Sequence, residues 1–233
     1  MQLALPSQRL IRHDALELAK WVALITMTVD HYGKIVDPGV FLITHWIGRL
    51  SFPLFAGIVG IRLALSPRVA AAYVRRLAFW AVLSQPVFVL AGRPWSDGNI
   101  LFTLLLGVLA NSAVLLFLRD RQAEGILVFA CVAVAAFFVE FGIAGVLMIP
   151  LIARIASGRP SAVWWLIGLL GVFANLTFES PPLTAGDLCA LGATPVVLAS
   201  ASMRAYVPRL PRYFFYAYYP AHLLVLHWID LHL

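Results

Sequence analysis

An apolar, helix-forming stretch near the start of the chain, residues 14–34, carries two adjacent ionisable side chains, Asp30 and His31. The nine residues that precede them, 21–29, hold no charge, so the pair lies inside or at the edge of an apolar layer. Placing an ionisable group there costs on the order of a few kcal/mol, and such residues usually face a functional cavity. A neutral imidazole tolerates burial and can still accept a proton. His31 is therefore the leading candidate for a general base.

Asp30 is next to His31 in sequence, but adjacent residues on a helix point in different directions. We therefore expect the aspartate to orient another group, such as the guanidinium of Arg49. That guanidinium stays charged at the end of a long apolar run, so it must reach a polar surface or pair with an acid. The candidate partners for Arg49 are Asp30, Asp37 and Glu140.

Four more polar side chains interrupt apolar segments, namely Gln85, Asn99, Asn175 and His222. Together they can line one cavity with His31. A polar residue in a membrane helix can equally hold two helices together, at about 0.6 kcal/mol per contact, and for the three amides the residues favour neither role. His222 stands in an aromatic-rich segment, which favours an anchor at the membrane interface over a catalytic group.

The composition of the chain indicates the class of protein that carries these polar and ionisable side chains. Of 233 residues, 62% are hydrophobic and 12% are charged, and the mean hydropathy is +0.90. A soluble domain carries about 25% charged residues, so the sequence predicts an integral membrane protein surrounded by membrane lipid. The N-terminal tail, residues 1–13, shows no pattern of a removable signal peptide, so we expect the first helix to direct insertion.

The net charge of +6 raises the question of a nucleic-acid partner. The basic residues recur at intervals along the chain and form no single patch, so no nucleic acid is expected. Cys131 and Cys189 both lie in apolar runs, without a CxxC spacing or a nearby histidine. This pattern predicts neither a disulfide framework nor a metal site.

Apolar runs separated by short polar loops predict an all-α, polytopic membrane bundle of about nine transmembrane helices. The predicted helices are 15–35, 40–65, 77–92, 99–118, 125–139, 141–156, 162–178, 188–203 and 213–231. The fifth and sixth are short for full spans, so one of them can be tilted, re-entrant or buried in the bundle. No internal repeat is visible, which indicates a single domain over residues 1–233.

The loop charges predict the orientation of this bundle. With nine helices, twelve basic residues fall on the side of the N-terminal tail, whereas the opposite side carries Lys34 and Arg93 together with several acids. This asymmetry predicts a cytoplasmic N-terminal tail, residues 1–13, and a C terminus on the outer side of the membrane.

Five stretches of the sequence together resemble the TraX family of conjugative-pilin N-acetylases. They are KWVALITMTVDH (20–31), GRLSFPLF (48–55), RLAFWAVLSQPVFVLAGRPWSDGNILF (76–102), FGIAGVLM (141–148) and PRYFFYAYYPAHLL (211–224). They occur in the family's order and span nearly the whole chain. The spacing of Lys20 and His31 is also similar to the Arg, ten residues, His signature of the wider membrane acyltransferase superfamily, with lysine in place of arginine.

The resemblance implies transfer of an acetyl group from the co-substrate acetyl-CoA to the terminal amine of processed pilin. The positions that match the family's motifs are Asp30, His31, Arg49, Arg76, Gln85, Asn99 and His222. Phosphates of acetyl-CoA are then expected at the basic cytoplasmic face, on Lys20, Arg75, Arg76 or Arg212. His31 would accept the proton of the amine, and Arg49, Asn99 or a helix terminus would stabilise the oxyanion.

Three other functions fit parts of this pattern. The acceptor can be a sugar or a lipid headgroup, because the transfer machinery would be similar. The protein can also be a transporter, in which Asp30 and His31 relay protons, or a non-catalytic scaffold for pilin assembly. A single Asp-His pair without repeat symmetry favours the enzyme.

Overall fold

The computed structural model describes residues 15–158, 208–211 and 213–233. Within these ranges the regular secondary structure is helical, apart from one isolated bridge between Gly98 and Val139. The helices are α1 Ala15–Ile35, α2 Phe41–Gly48, α3 Ser51–Leu65, α4 Ala70–Leu90, α5 Ile100–Phe117, α6 Gln122–Ala135, α7 Gly142–Ala156 and α8 Phe214–Asp230. The predicted all-α class is confirmed. The predicted helices 162–178 and 188–203, with Asn175, lie outside the described residues, as does Arg212.

Two of the described segments are long and apolar enough to cross a membrane. They are Pro38–Leu65, which includes α2 and α3, and Ile100–Phe117, which is α5. The segments Gln122–Phe138 and Gly142–Ala156 are apolar but shorter. The part of the chain that the structure describes therefore supports two candidate spans by length and composition, and the count of nine stays a prediction.

The predicted helix 40–65 is broken in the structure at Arg49 and Leu50, which form a turn between α2 and α3. The cause is Pro53, because it has no N–H to donate to the carbonyl of Arg49, and its ring crowds that carbonyl. Arg49 therefore stands at a corner between two helices.

The start of α4 also differs from the prediction, which placed it at residue 77. The helix begins at Ala70, after a short 3-10 turn over Pro67–Val69. Arg75 and Arg76 consequently lie within a helix and not in a loop, and they point to different sides of it. The alanines that open α4 and the arginines themselves are strong helix formers, so the charges do not end the helix.

The core of the described bundle joins α1, α3, α4, α5, α7 and α8, with buried side chains such as Met27, Leu101, Met148 and Tyr219. Small residues bring α2 against the end of α1. A Cβ atom on Gly48 would collide with the Asp30 side chain, and one on Gly33 would collide with Thr44. This close approach fixes the position of α2 beside the turn of α1 that carries Asp30 and His31.

Candidate active site

His31 and His222 meet at the centre of the candidate site. The Nδ1 atom of His31, on α1, lies 2.7 Å from the Nε2 atom of His222, on α8. The ring planes differ by 20° and the centroids are 5.0 Å apart, which is the spacing of two imidazoles hydrogen-bonded edge to edge. His222 is only 6% exposed. The residue-based interpretation of His222 as an interface anchor is therefore wrong, because its side chain points into the bundle.

Two contacts with Tyr218 hold the His222 ring in place. Its Nδ1 atom lies 2.8 Å from the carbonyl oxygen of Tyr218, one helical turn earlier. The Tyr218 ring is nearly parallel to it, at 9° with centroids 5.1 Å apart. The Tyr218 hydroxyl in turn lies 2.7 Å from Oγ1 of Thr28 on α1. These contacts hold α8 against α1 near the histidine pair.

Asp30 points away from His31, as expected for adjacent helical residues. Its carboxylate accepts from Nζ of Lys34 at 2.5 Å and lies 3.2 Å from Nδ1 of His45 on α2. Its partners are therefore Lys34 and His45 in place of the expected Arg49. The i, i+4 spacing of Asp30 and Lys34 is a sequence signal that reveals this pair. His45 carries no such signal, because its contact depends on how α2 folds back onto α1.

Gln85 and Asn99 form a closed network at the turn between α4 and α5. The Asn99 side chain caps α5 by accepting from the Leu101 N–H at 3.0 Å. Its Nδ2 donates to the Ala81 carbonyl at 2.9 Å and to Oε1 of Gln85 at 2.8 Å, while Nε2 of Gln85 donates to the Asp97 carbonyl at 2.8 Å. Both amide protons of Asn99 are thus used within the fold. The network favours the structural role over the expected oxyanion role of Asn99.

This network gives a stability prediction. Asn99→Ala is expected to lower the free energy of unfolding by about 1–3 kcal/mol, because it removes the cap of α5 and leaves the partly buried Gln85 oxygen with fewer donors. Asn99→Ser keeps a capping oxygen and should recover about half of the loss. Denaturant unfolding of the detergent-solubilised protein measures both variants. Equal stability of Asn99→Ala and the unaltered protein would contradict the structural role.

A cavity of about 500 Å³ opens between α1, α3, α4, α5 and α8. Three basic side chains line it, Lys20, Arg62 and Arg76. The rest of the wall is mostly apolar and aromatic, and it includes Met27, Phe55, Ile58, Val59, Tyr73, Leu77, Ile100, Leu101, Leu104, Phe215, Tyr216 and Tyr219. The cavity thus combines a concentrated positive charge with an apolar throat.

The apolar end of the cavity is next to the histidine pair. Lys20, Met27 and His31 follow one face of α1, since steps of seven and four residues are close to whole helical turns. At about 1.5 Å per residue, Met27 is about 10 Å from Lys20 along the axis, and His31 follows one turn later. From α8, Tyr219 lines the cavity and packs on His222, with ring centroids 5.8 Å apart. The cavity therefore leads from the basic residues towards His31.

The predicted basic residues differ in how they relate to this cavity. Lys20 pairs with Glu17 and lies over the Phe215 ring, while Arg76 lies over Tyr73, so aromatic faces hold both cations at the cavity. Arg75 is exposed and does not line the cavity.

Arg62 does line the cavity, although the sequence analysis missed it. Arg62 is the second charge, after Arg49, inside the predicted helix 40–65, and this position was the signal that could have identified it.

The comparisons with known proteins cover nearly the whole chain. The family model described as "TraX protein" matches residues 15–230. The chain is 31% identical over 220 residues to Protein TraX of Escherichia coli, an alignment that covers 90% of this chain and 85% of that protein. It is also 31% identical over 219 residues to Protein TraX of Escherichia coli strain K12, with the same coverage. No solved structure matches the chain significantly. With the family model and both relatives aligned across its helices, the chain belongs to the TraX family.

Proposed function

We propose that this protein is a membrane-embedded acetyltransferase, which transfers an acetyl group from acetyl-CoA to the terminal amine of processed conjugative pilin and so supports conjugation. The observation that carries the proposal is the cavity lined by Lys20, Arg62 and Arg76, because its wall also includes Tyr219, which packs on His222 of the His31–His222 pair. A site of this shape suits a co-substrate that is polyanionic at one end and reactive at the other. The family resemblance supplies the acceptor.

The cavity matches the chemistry of acetyl-CoA along its length. Lysine and arginine bind phosphate through charge-assisted hydrogen bonds, so the nucleotide end belongs at the three basic residues. The narrower pantetheine arm fits the apolar throat, and a volume of about 500 Å³ is within the ordinary range of small-molecule sites. The thioester at the end of the arm would then lie near Met27 and Tyr219, beside the histidine pair.

The reaction at that point is an acyl transfer with His31 as general base. The nitrogen of the pilin amine attacks the thioester carbonyl, and His31 takes the proton that the amine loses. Collapse of the tetrahedral intermediate breaks the C–S bond and releases the CoA thiolate, which takes up the proton. Arg49 is the proposed stabiliser of the oxyanion. Its neighbour Gly48 packs on Asp30, which brings the backbone of Arg49 near the turn of α1 that carries Asp30 and His31.

The two substrates would reach this site from opposite directions. Acetyl-CoA is cytoplasmic and its phosphates cannot cross an apolar layer, so the basic end of the cavity is proposed to face the cytoplasm. His31 lies about 16 Å further along α1 than Lys20, roughly half the thickness of a bilayer core. The pilin amine would approach from the periplasmic side. The proposed location is therefore the bacterial inner membrane, with the C terminus in the periplasm.

Mass spectrometry of mature pilin tests the proposed activity in cells. Pilin from cells that contain this protein should carry one acetyl group on its terminal amine, and pilin from cells that lack it should carry a free amine. Re-expression from a second plasmid should restore the acetyl group. An identical pilin mass in the presence and absence of the protein would refute the pilin acetylase and favour a sugar or lipid acceptor, a transporter or a scaffold.

Two adjacent arginines give a matched test of the co-substrate site. Arg76→Glu should raise the KM for acetyl-CoA by about tenfold or more, since it replaces an attractive phosphate contact with a repulsive charge. Arg75→Glu makes the same change in net charge on the exposed side of α4 and should leave that KM nearly unchanged. Steady-state kinetics at fixed pilin concentration measure both values. Equal KM changes in the two variants would show that the cavity does not bind the phosphates.

A further inference from the structure

We propose that His222 is a positioning residue, which fixes the tautomer of His31 and thereby directs the lone pair of the His31 Nε2 atom to the acceptor amine. The inference rests on the proposed role of His31 as general base. It derives from the direction of a hydrogen-bond chain that runs from the Tyr218 carbonyl through His222 to His31.

The direction of the chain is set at its first member. A backbone carbonyl can only accept a hydrogen bond, so the Nδ1 atom of His222, 2.8 Å from the Tyr218 oxygen, must carry a proton. A neutral imidazole carries one N–H and one lone pair. The Nε2 atom of His222 therefore presents its lone pair to His31.

The same logic then fixes His31. Its Nδ1 atom lies 2.7 Å from that lone pair, a hydrogen-bond distance at which two lone pairs would repel. Nδ1 of His31 must therefore donate. In the neutral ring the remaining nitrogen, Nε2, then carries the lone pair. Without His222, neutral His31 can protonate either nitrogen, and only one of the two forms offers Nε2 as a base.

The surroundings make this arrangement rigid. His222 is 6% exposed, so water cannot easily replace it as the acceptor for His31. The parallel ring of Tyr218 covers one side of His222, and the hydroxyl of Tyr218 is held by Thr28 at 2.7 Å. Thr28 and His31 lie on the same helix, α1. Movement of the His222 ring would therefore disturb its hydrogen bond to His31 and, through Tyr218, the contact with Thr28.

The pair also has a consequence for the chemical step. When His31 takes the proton of the amine, it becomes an imidazolium, and its hydrogen bond to the neutral His222 becomes charge-assisted and stronger. This gain arises in the transition state and not when acetyl-CoA binds. Loss of His222 should therefore lower kcat without changing the KM for acetyl-CoA.

Two substitutions at residue 222 test the inference. His222→Leu removes the acceptor, and kcat should fall about 10–100-fold, less than the full contribution of a general base, because part of the His31 population still adopts the reactive tautomer. His222→Gln keeps an amide oxygen at about the reach of the Nε2 atom and should restore most of the lost kcat. If His222→Leu does not fold, the comparison of His222→Gln with the unaltered protein and the spectroscopic test below still decide the question.

Nitrogen-15 NMR of the imidazole rings, assigned with His31→Ala, reads the tautomer directly. In the unaltered protein His31 should show a protonated Nδ1 and an unprotonated Nε2, and in His222→Leu this single form should become a mixture. A protonated Nε2 in the unaltered protein, or equal kcat in His222→Leu and the unaltered protein, would overturn the inference. The NMR spectrum does not depend on turnover. If His31 shows the expected tautomer but the protein transfers no acetyl group to pilin, the result refutes the proposed function and not the inference about His222.

Discussion

His31→Ala is expected to reduce acetyl transfer to pilin by about 10²–10⁴-fold, the usual contribution of a general base. The side chain is only partly buried, so its loss should leave the bundle folded, although the His222 Nε2 atom loses its partner. The KM for acetyl-CoA should change little, because the phosphate contacts are remote. Initial rates with purified protein, acetyl-CoA and pilin measure the effect.

The control for this variant is His227→Ala, since His227 lies on α8 but has no place in the His31–His222 pair. It should retain near-normal activity. Thermal unfolding of both variants should show that they remain folded. Acetylation by His31→Ala at the rate of the control would refute the assignment of His31 as the base.

Met27→Trp is expected to block the throat of the cavity and to lower kcat/KM for acetyl-CoA by at least about 100-fold. Met27 is 4% exposed and lies between the basic residues and the histidine pair, where a larger ring would displace the thioester. A displacement of about 1 Å is sufficient for a loss of this size. Binding of adenosine 3′,5′-bisphosphate, which has no pantetheine arm, should be retained.

Ile25→Trp supplies the matched control, because Ile25 is on the same helix but 58% exposed on its outer side. It adds a similar volume without entering the cavity and should leave kcat/KM nearly unchanged. Met27→Trp with full activity would show that the co-substrate does not pass through this cavity. Loss of adenosine 3′,5′-bisphosphate binding together with activity would point to a general collapse of the site.

The sequence predicted the helical class and most helix bounds, because these depend on local pattern, whereas the role of His31 stays a prediction. It did not predict the break at Arg49, although Pro53 was visible, since the apolar pattern continues through the break. His222 was misjudged from the aromatic residues around it. Several of those rings pack within the bundle, as the stacking of Tyr218 on His222 shows, and composition alone does not distinguish the inner face of a helix from its outer face.

The basic residues illustrate the same limit. Arg75 and Arg76 appeared equivalent while they were assigned to a loop, but on a helix adjacent residues differ by about 100° in direction, and only Arg76 lines the cavity. The roles of Gln85 and Asn99 could not be separated from sequence, because their hydrogen bonds join two helices through a turn. The His31–His222 contact joins residues 191 positions apart and needs the tertiary structure.

Transfer of labelled acetyl in sealed vesicles of one orientation, containing only this protein and pilin, tests the central claim most directly. With labelled acetyl-CoA on the cytoplasmic face, we expect the label on the terminal amine of pilin, identified by mass spectrometry of its N-terminal peptide. With acetyl-CoA only on the periplasmic face, we expect no label. Absence of label from both faces would contradict the acetyltransferase, and equal labelling from both faces of intact vesicles would contradict a cavity that admits acetyl-CoA from the basic cytoplasmic end alone.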